Sequence, residues 1–224
     1  MGKVCIPIVE STAKKALVAV KEVSRRADLI ELRVDYLKRV NLDLLLEDRR
    51  KPLIVTHRRK EEGGRYQGEE GKRASVLRDA IDSGADYIDV EVATERSVLQ
   101  NLLRNRGETQ VILSSHNLQG TPSPEELRRG FNQMVRLGAD VVKIVPYARS
   151  WEDNLTILSL IPFAKARKKR IVAFCMGEKG KLSRIFSPFL GAAWTYVSFK
   201  KVKVSAPGQL TVREMREVWK LLKR

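Results

Sequence analysis

Three residue types in this chain stand where they could carry covalent and proton-transfer chemistry. Lys143 lies in the run Val141-Val142-Lys143-Ile144-Val145, with no other polar side chain beside it. A lysine there loses much of its hydration, which disfavours the ammonium and favours a neutral amine able to attack a carbonyl carbon. The competing account is a lysine whose stem follows apolar surface while its head reaches water, and the flanking residues alone leave both open. His116 ends an earlier apolar run, Val111-Ile112-Leu113-Ser114-Ser115. An imidazole at such a place suits proton transfer near neutral pH. His57, the other histidine, also ends an apolar run, and for it a structural role is the stronger account. Glu31 and Glu91 are carboxylates in strand-like segments, and buried carboxylates are rare unless paired. Arg33, Arg58 and His116 are the available partners. Glu91 beside His116 would fix the imidazole tautomer and raise its basicity. A purely structural ring of ion pairs is the alternative.

The elements that must position these residues follow from an alternation. Short apolar, β-branched runs recur at 4–9, 29–34, 53–57, 87–92, 111–115, 141–145, 171–176 and 196–200, with helix-patterned segments between them. Runs that are apolar throughout fit strands covered by helices. Eight such units predict a single (β/α)8 TIM barrel, one domain over residues 1–224. In barrels of this kind the active site lies at the C-terminal ends of the strands, where both histidines fall. A weak repeat supports the reading: Ala27-Asp28-Leu29, Ala85-Asp86-Tyr87 and Ala139-Asp140-Val141 each open an even-numbered strand on an aspartate. Side chains alternate along a strand, so the third and fifth residues after each aspartate share a face. Those positions hold Glu31 and Arg33, Asp89 and Glu91, then Lys143 and Val145. Helix starts are marked at Ser11-Thr12, Ser123-Pro124-Glu125-Glu126 and Ser150-Trp151-Glu152-Asp153, and Pro162 predicts an interruption.

Composition narrows the classes. An apolar fraction of 43% suits a globular chain, and no run approaches the roughly 18 apolar residues that a spanning helix needs. The first residues enter a strand-like run without the pattern of a signal peptide, which predicts a cytoplasmic protein and no membrane partner. Cys5 and Cys175 lie in apolar runs without metal-ligand spacing, so buried thiols and no metal are expected, with Cys175 close to the mouth of the site. The net charge of +16 is spread over most helices with acids interleaved, and only residues 165–170 form a dense basic block. Clustered cations are what nucleic-acid binding requires, so no nucleic-acid partner is expected. An anionic small substrate would meet a favourable field.

Taken in order, several motifs resemble those of the type I 3-dehydroquinate dehydratases. They are Glu31-Leu32-Arg33-Val34-Asp35, Asp89-Val90-Glu91, Ser114-Ser115-His116-Asn117, Val142-Lys143-Ile144, Met176-Gly177 followed by Ser183-Arg184, and Ser205-Ala206-Pro207-Gly208-Gln209. Each tripeptide is weak; the ordered set is specific and spans the chain. The resemblance implies a hydro-lyase that converts 3-dehydroquinate to 3-dehydroshikimate and water, the third step of the shikimate pathway, with no metal and no organic cofactor. It also implies a homodimer. By the same resemblance Lys143 is the Schiff-base lysine, His116 the general acid/base, and Glu91 the carboxylate that orients His116. Glu31, Arg33 and Arg58 would hold substrate hydroxyls and frame the site, Arg184 would clamp the substrate carboxylate, and Ser205 and Gln209 would lie on a closing loop. Two alternatives stay open: a Schiff-base aldolase acting on sugar phosphates, and a basic RNA-binding or scaffold protein on a barrel.

Overall fold

The computed structural model describes residues 2–47, 50–201 and 205–222. Eight parallel strands form one sheet: β1 Val4–Ile8, β2 Leu29–Arg33, β3 Leu53–Thr56, β4 Tyr87–Glu91, β5 Gln110–Asn117, β6 Val141–Pro146, β7 Arg170–Ala173 and β8 Thr195–Tyr196. Their order is β7-β6-β5-β4-β3-β2-β1-β8, a nearly closed barrel. At the remaining seam the Ala193 N–H donates to the Ile171 carbonyl at 2.8 Å. Helices α1 Ala13–Val23, α2 Leu42–Leu46, α3 Glu70–Asp82, α4 Arg96–Arg104, α5 Pro124–Leu137, α6 Asp153–Leu158, α7 Leu160–Ala166, α8 Lys181–Leu190 and α9 Val212–Leu221 lie between and after the strands. The predicted TIM barrel is the fold observed. Among the described residues no helix is long and apolar enough to cross a membrane.

The repeated aspartates have a structural task. Asp28, Asp86 and Asp140 each accept a backbone N–H near the start of the preceding odd strand, from Val4 at 2.9 Å, Leu53 at 3.0 Å and Val111 at 2.8 Å. A charged acceptor thus satisfies donors that the barrel's lower rim would leave without partners. The start at Ser150 departs from expectation: α6 begins at Asp153 behind Glu152, which makes no side-chain cap bond, and Asp153 Oδ2 accepts the Ser150 N–H at 2.9 Å. Other starts behave as their sequences imply. Ser123 and Glu126 form a reciprocal capping box on α5 with Pro124 at its first position, and Thr211 and Glu214 do the same on α9. Pro162 lacks the N–H that would bond the Leu158 carbonyl, and the helix breaks at Ser159 into α6 and α7.

Two strands depart from the sequence expectation. β7 stops at Ala173, and pairing with the β6 side resumes only at Met176, whose N–H reaches the Pro146 carbonyl. β8 was expected over 196–200 but ends at Tyr196. Beyond it, Ser198 exchanges backbone bonds with the segment around Thr211, which draws the chain off the barrel.

Two apolar clusters define the core. One lies between strands and helices, and the other fills the barrel. Within the barrel the lower levels are apolar: Leu29, Val141 and Trp194 from even strands, then Cys5, Ile54, Ile112 and Val172 from odd ones. Two residues further along, each even strand turns in a polar side chain: Glu31, Asp89, Lys143 and Tyr196. Layers of four from alternate strands are how these barrels fill; here the third layer is where packing gives way to chemistry.

Candidate active site

Lys143 sits at the centre of that layer, 4% exposed. Its Nζ donates to Asp89 Oδ2 at 2.8 Å, Tyr196 OH at 3.2 Å and Glu31 Oε1 at 3.4 Å. The expectation of an oily surround is therefore corrected: polar groups face Nζ. Val142 and Ile144 point outward into the helix-facing core, while the groups that surround Nζ come from other strands. Two carboxyl groups and a phenol face the amine.

Asp89 is the hub. Its Oδ1 accepts from Arg58 Nη2 and Ser114 Oγ, both at 2.6 Å. Burial pushes this carboxyl up, but the Arg58 and Lys143 charges outweigh burial and hold it well below the usual carboxylate range. Arg58 also meets Glu91 Oε1 at 3.0 Å, and its own proton is held more firmly than usual because these carboxylates outweigh its desolvation.

The carboxylate beside His116 is Glu62, not Glu91. Glu62 Oε2 accepts from the His116 backbone N–H and lies 2.9 Å from His116 Nδ1. Glu91 is held elsewhere, by Arg58, by Arg73 at 2.5 Å and by the Arg59 backbone N–H at 3.1 Å. It braces the arginines and does not line the cavity. Glu62 follows β3 on a short 3-10 turn that ends at Gly63, whose φ of +79° is one that few side chains tolerate. Gly64 then lies so close to Arg58 that a Cβ would stand 2.1 Å from its carbonyl oxygen. The Glu62-Gly63-Gly64 run is the sequence signal that could have revealed this return of the chain. Burial, above all, raises the Glu62 pKa to about 7, against the lowering field of Arg58. Burial and then the Arg58 and Lys143 charges push His116 well down, so its imidazole is neutral. With ionised Glu62 accepting the Nδ1 proton, Nε2 is left as a base.

A cavity of about 110 Å³ opens above the layer. Glu31, Arg33, Arg58, His116, Lys143, Arg184, Ser205 and Gln209 all line it, together with Glu62, Phe174 and Tyr196. Glu31 belongs to the lysine's surroundings, accepting from Thr56 Oγ1 at 3.0 Å. Arg33 forms a fork with Asp35 at 2.8 and 2.7 Å. Arg184 is fully buried, and among the described residues its Nε and Nη1 have no hydrogen-bond partner. Only its Nη2 donates, to the Pro207 carbonyl at 3.3 Å, and the guanidinium lies over the Phe174 ring, 4.4 Å from its centroid. Burial pushes its pKa down to about 10. Ser205 and Gln209 clasp each other through two hydrogen bonds of 3.0 and 2.9 Å. Between them, Gly208 has φ +76° and packs on the Gly177 carbonyl, where a Cβ would stand 2.1 Å away, so this loop rests on the turn after β7.

His57 lies outside the cavity, against the Tyr66 ring, and among the described residues its Nδ1 has no hydrogen-bond partner. Cys175 is buried and does not line the cavity. Among the described residues no cluster of His, Cys, Asp and Glu could hold a metal ion.

Comparison with known proteins agrees with this geometry. The family model for type I 3-dehydroquinase matches residues 4–224. A 3-dehydroquinate dehydratase of Methanocaldococcus jannaschii is 34% identical over 223 residues, covering 98% of this chain and 98% of that protein. Among solved structures, the 3-dehydroquinate dehydratase of Geobacillus kaustophilus superposes with a TM-score of 0.92 at 26% identity, over 100% of this chain and 91% of that one. The type I enzyme of Clostridium difficile, solved with covalently modified comenic acid, gives 0.89 at 28% identity over 99% and 92%. The chain belongs to the type I 3-dehydroquinase family.

Proposed function

We propose that this chain dehydrates 3-dehydroquinate to 3-dehydroshikimate through a Schiff base on Lys143. The observation that carries the reading is the meeting, in one cavity, of a buried amine, an imidazole whose Nδ1 lies 2.9 Å from Glu62, and an arginine with two nitrogens unpartnered among the described residues. Lys143 Nζ adds to the ring ketone, and loss of water gives an iminium. His116 then takes a proton from the neighbouring carbon, and the electron pair passes into an enamine. The hydroxyl beyond leaves as water, protonated by the same histidine. Hydrolysis of the imine frees the amine, so the net change is loss of one water. Arg184, held over Phe174 with two free donor groups, suits the substrate carboxylate. Arg58 and Glu91 frame the site, while Ser205 and Gln209 sit on the loop that closes it. The sugar-phosphate aldolase alternative loses support because the type I 3-dehydroquinase family model matches residues 4–224. Sodium borohydride added during turnover of 3-dehydroquinate should leave one reduced adduct, mapped to Lys143 by peptide mass; an adduct on another lysine, or none, refutes the mechanism.

The Glu62–His116 pair sets a pH dependence. Above about pH 7 ionised Glu62 accepts the Nδ1 proton and leaves Nε2 basic; below it, protonated Glu62 can donate to Nδ1 and move the ring proton to Nε2. kcat should rise with pH through about 7. Glu62→Gln should remove that limb and lower kcat about tenfold. An unchanged profile in the variant would count against Glu62 as the orienting group.

A second copy of the chain is the expected partner, in the cytoplasm. Trp151, Leu155 and Leu158 around α6 and Leu182, Phe186 and Phe189 of α8 form one apolar face, with Leu155 72% exposed. No cation lines it. Copies carrying +16 each repel, so they approach best on a face without basic residues. Leu155→Glu should convert a dimer to a monomer in sedimentation, whereas a wild-type monomer at micromolar concentration rules the pairing out.

A further inference from the structure

The fourth member of the reactive layer, Tyr196, enters neither the proton transfers nor the substrate contacts described above. It is 3% exposed, on the shortest strand of the barrel. Its hydroxyl lies 3.2 Å from Lys143 Nζ and 3.3 Å from Glu31 Oε1, and Nζ stands 4.4 Å from its ring centroid. The ring is buttressed by Phe174 at 5.9 Å, the residue that also carries Arg184. Phenylalanine would fill the same space, so packing does not require the oxygen.

We propose that Tyr196 is a positioning residue for Lys143: its hydroxyl aims the amine at the substrate ketone, and its ring face favours the cationic iminium. The inference rests on the Schiff-base reading. An ammonium offers three hydrogens, and three oxygens surround it: Asp89 Oδ2, Glu31 Oε1 and Tyr196 OH. Burial, then Glu31 and Asp89, raise the Tyr196 pKa well above its usual value, so the hydroxyl keeps its proton. It therefore accepts from Nζ while donating to Glu31, and the direction of that chain is fixed. Nζ first passes one proton to His116 Nε2. Its lone pair, then facing the cavity, attacks the ketone carbon while the two remaining hydrogens stay anchored on Asp89 and Tyr196. His116 returns the proton to the carbinolamine hydroxyl, which leaves as water. Once water has left the carbinolamine, the iminium nitrogen retains one hydrogen and a positive charge. An aromatic face within about 6 Å attracts such a charge.

Tyr196→Phe and Tyr196→Leu separate hydroxyl from ring. The readouts are kcat, KM and the rate constant for appearance of the borohydride-trapped adduct, normalised to the amplitude of sites that react. Tyr196→Phe should lower kcat and the trapping rate constant together, by about tenfold, with KM changed less than about twofold. Tyr196→Leu should lower both further. A purely structural role would reduce the melting temperature or the reactive amplitude and leave the rate constant per site untouched, which overturns the proposal. So does a fall in kcat with an unchanged trapping rate, because the hydroxyl would then act after the Schiff base forms. Should Tyr196→Leu fail to fold, Tyr196→Phe decides the case alone. Absence of an adduct in the wild-type protein would refute the Schiff-base reading itself and is thereby distinguishable.

Discussion

Replacing Lys143 with alanine should abolish turnover of 3-dehydroquinate, with a loss on the order of 10⁴-fold or more in kcat, and should eliminate the borohydride adduct. The size follows from what the nitrogen supplies. Without an iminium to receive the electron pair, the proton lost to His116 would leave a carbanion with little stabilisation. His116 and the arginines would remain, but residues that act as one unit do not leave additive remnants. The substitution also leaves Asp89 and Glu31 short of a cation at the centre of a buried layer, although Arg58 still pairs with Asp89 at 2.6 Å. Removing one partner of a buried pair costs about 3–5 kcal/mol of stability, so the melting temperature should fall as well. Lys143→Met, which fills the stem's volume, separates the two effects poorly for the same reason. The adduct measurement on folded protein, with circular dichroism to show that it is folded, is therefore the decisive test. Residual turnover within about tenfold of wild type would remove Lys143 from the chemistry.

Arg184→Met should act in opposite directions on binding and on stability. The guanidinium is fully buried, with Nε and Nη1 unpartnered among the described residues and a pKa lowered by desolvation to about 10. Such a group is held in the folded state at a cost, which the Phe174 ring offsets only in part. Methionine matches its stem and needs no partners, so the substrate-free protein should gain about 1–4 kcal/mol. The same change removes a charge-assisted, two-pronged contact to a carboxylate. Hydrogen bonds to charged groups contribute about 1.5–3 kcal/mol each, so KM should rise by on the order of 10²-fold or more. Denaturant titration and steady-state kinetics on one variant check both halves. A destabilised variant with an unchanged KM would show that Arg184 serves the fold and not the ligand.

That opposition explains how the cavity is built. Asp89, Glu91 and Glu62 surround Arg58, whereas Arg184 Nε and Nη1 have no partner among the described residues. On the proposed reading Arg58 braces the wall, and Arg184 is the donor set left for an incoming anion. The loop of Ser205 and Gln209 is tied to the same corner, because the Pro207 carbonyl accepts from Arg184 Nη2 and Gly208 rests on Gly177. Arg184, the loop and the turn after β7 thus meet at one corner.

The sequence by itself determined the barrel and most of the cavity wall. Eight apolar runs between capped helices leave few other folds, and the period-two alternation put Glu31, Asp89 and Lys143 on one face of their strands before any neighbour was known. Covalent order along a strand is enough for that, since side-chain direction is a local property. Which side chains then meet across the interior is not local. Glu91 and Asp89 share a parity, yet only Asp89 reaches Lys143, because the register of each strand on the next sets the height of its residues. Glu62 displaced Glu91 beside His116 because a left-handed glycine turns the chain back after β3, and backbone reversal is invisible to a strand pattern. Lys143 proved paired because the apolar residues beside it in the chain face the helices, while its true neighbours arrive from β2, β4 and β8. Local periodicity fixed the direction each group faces; closure of the barrel chose its partners.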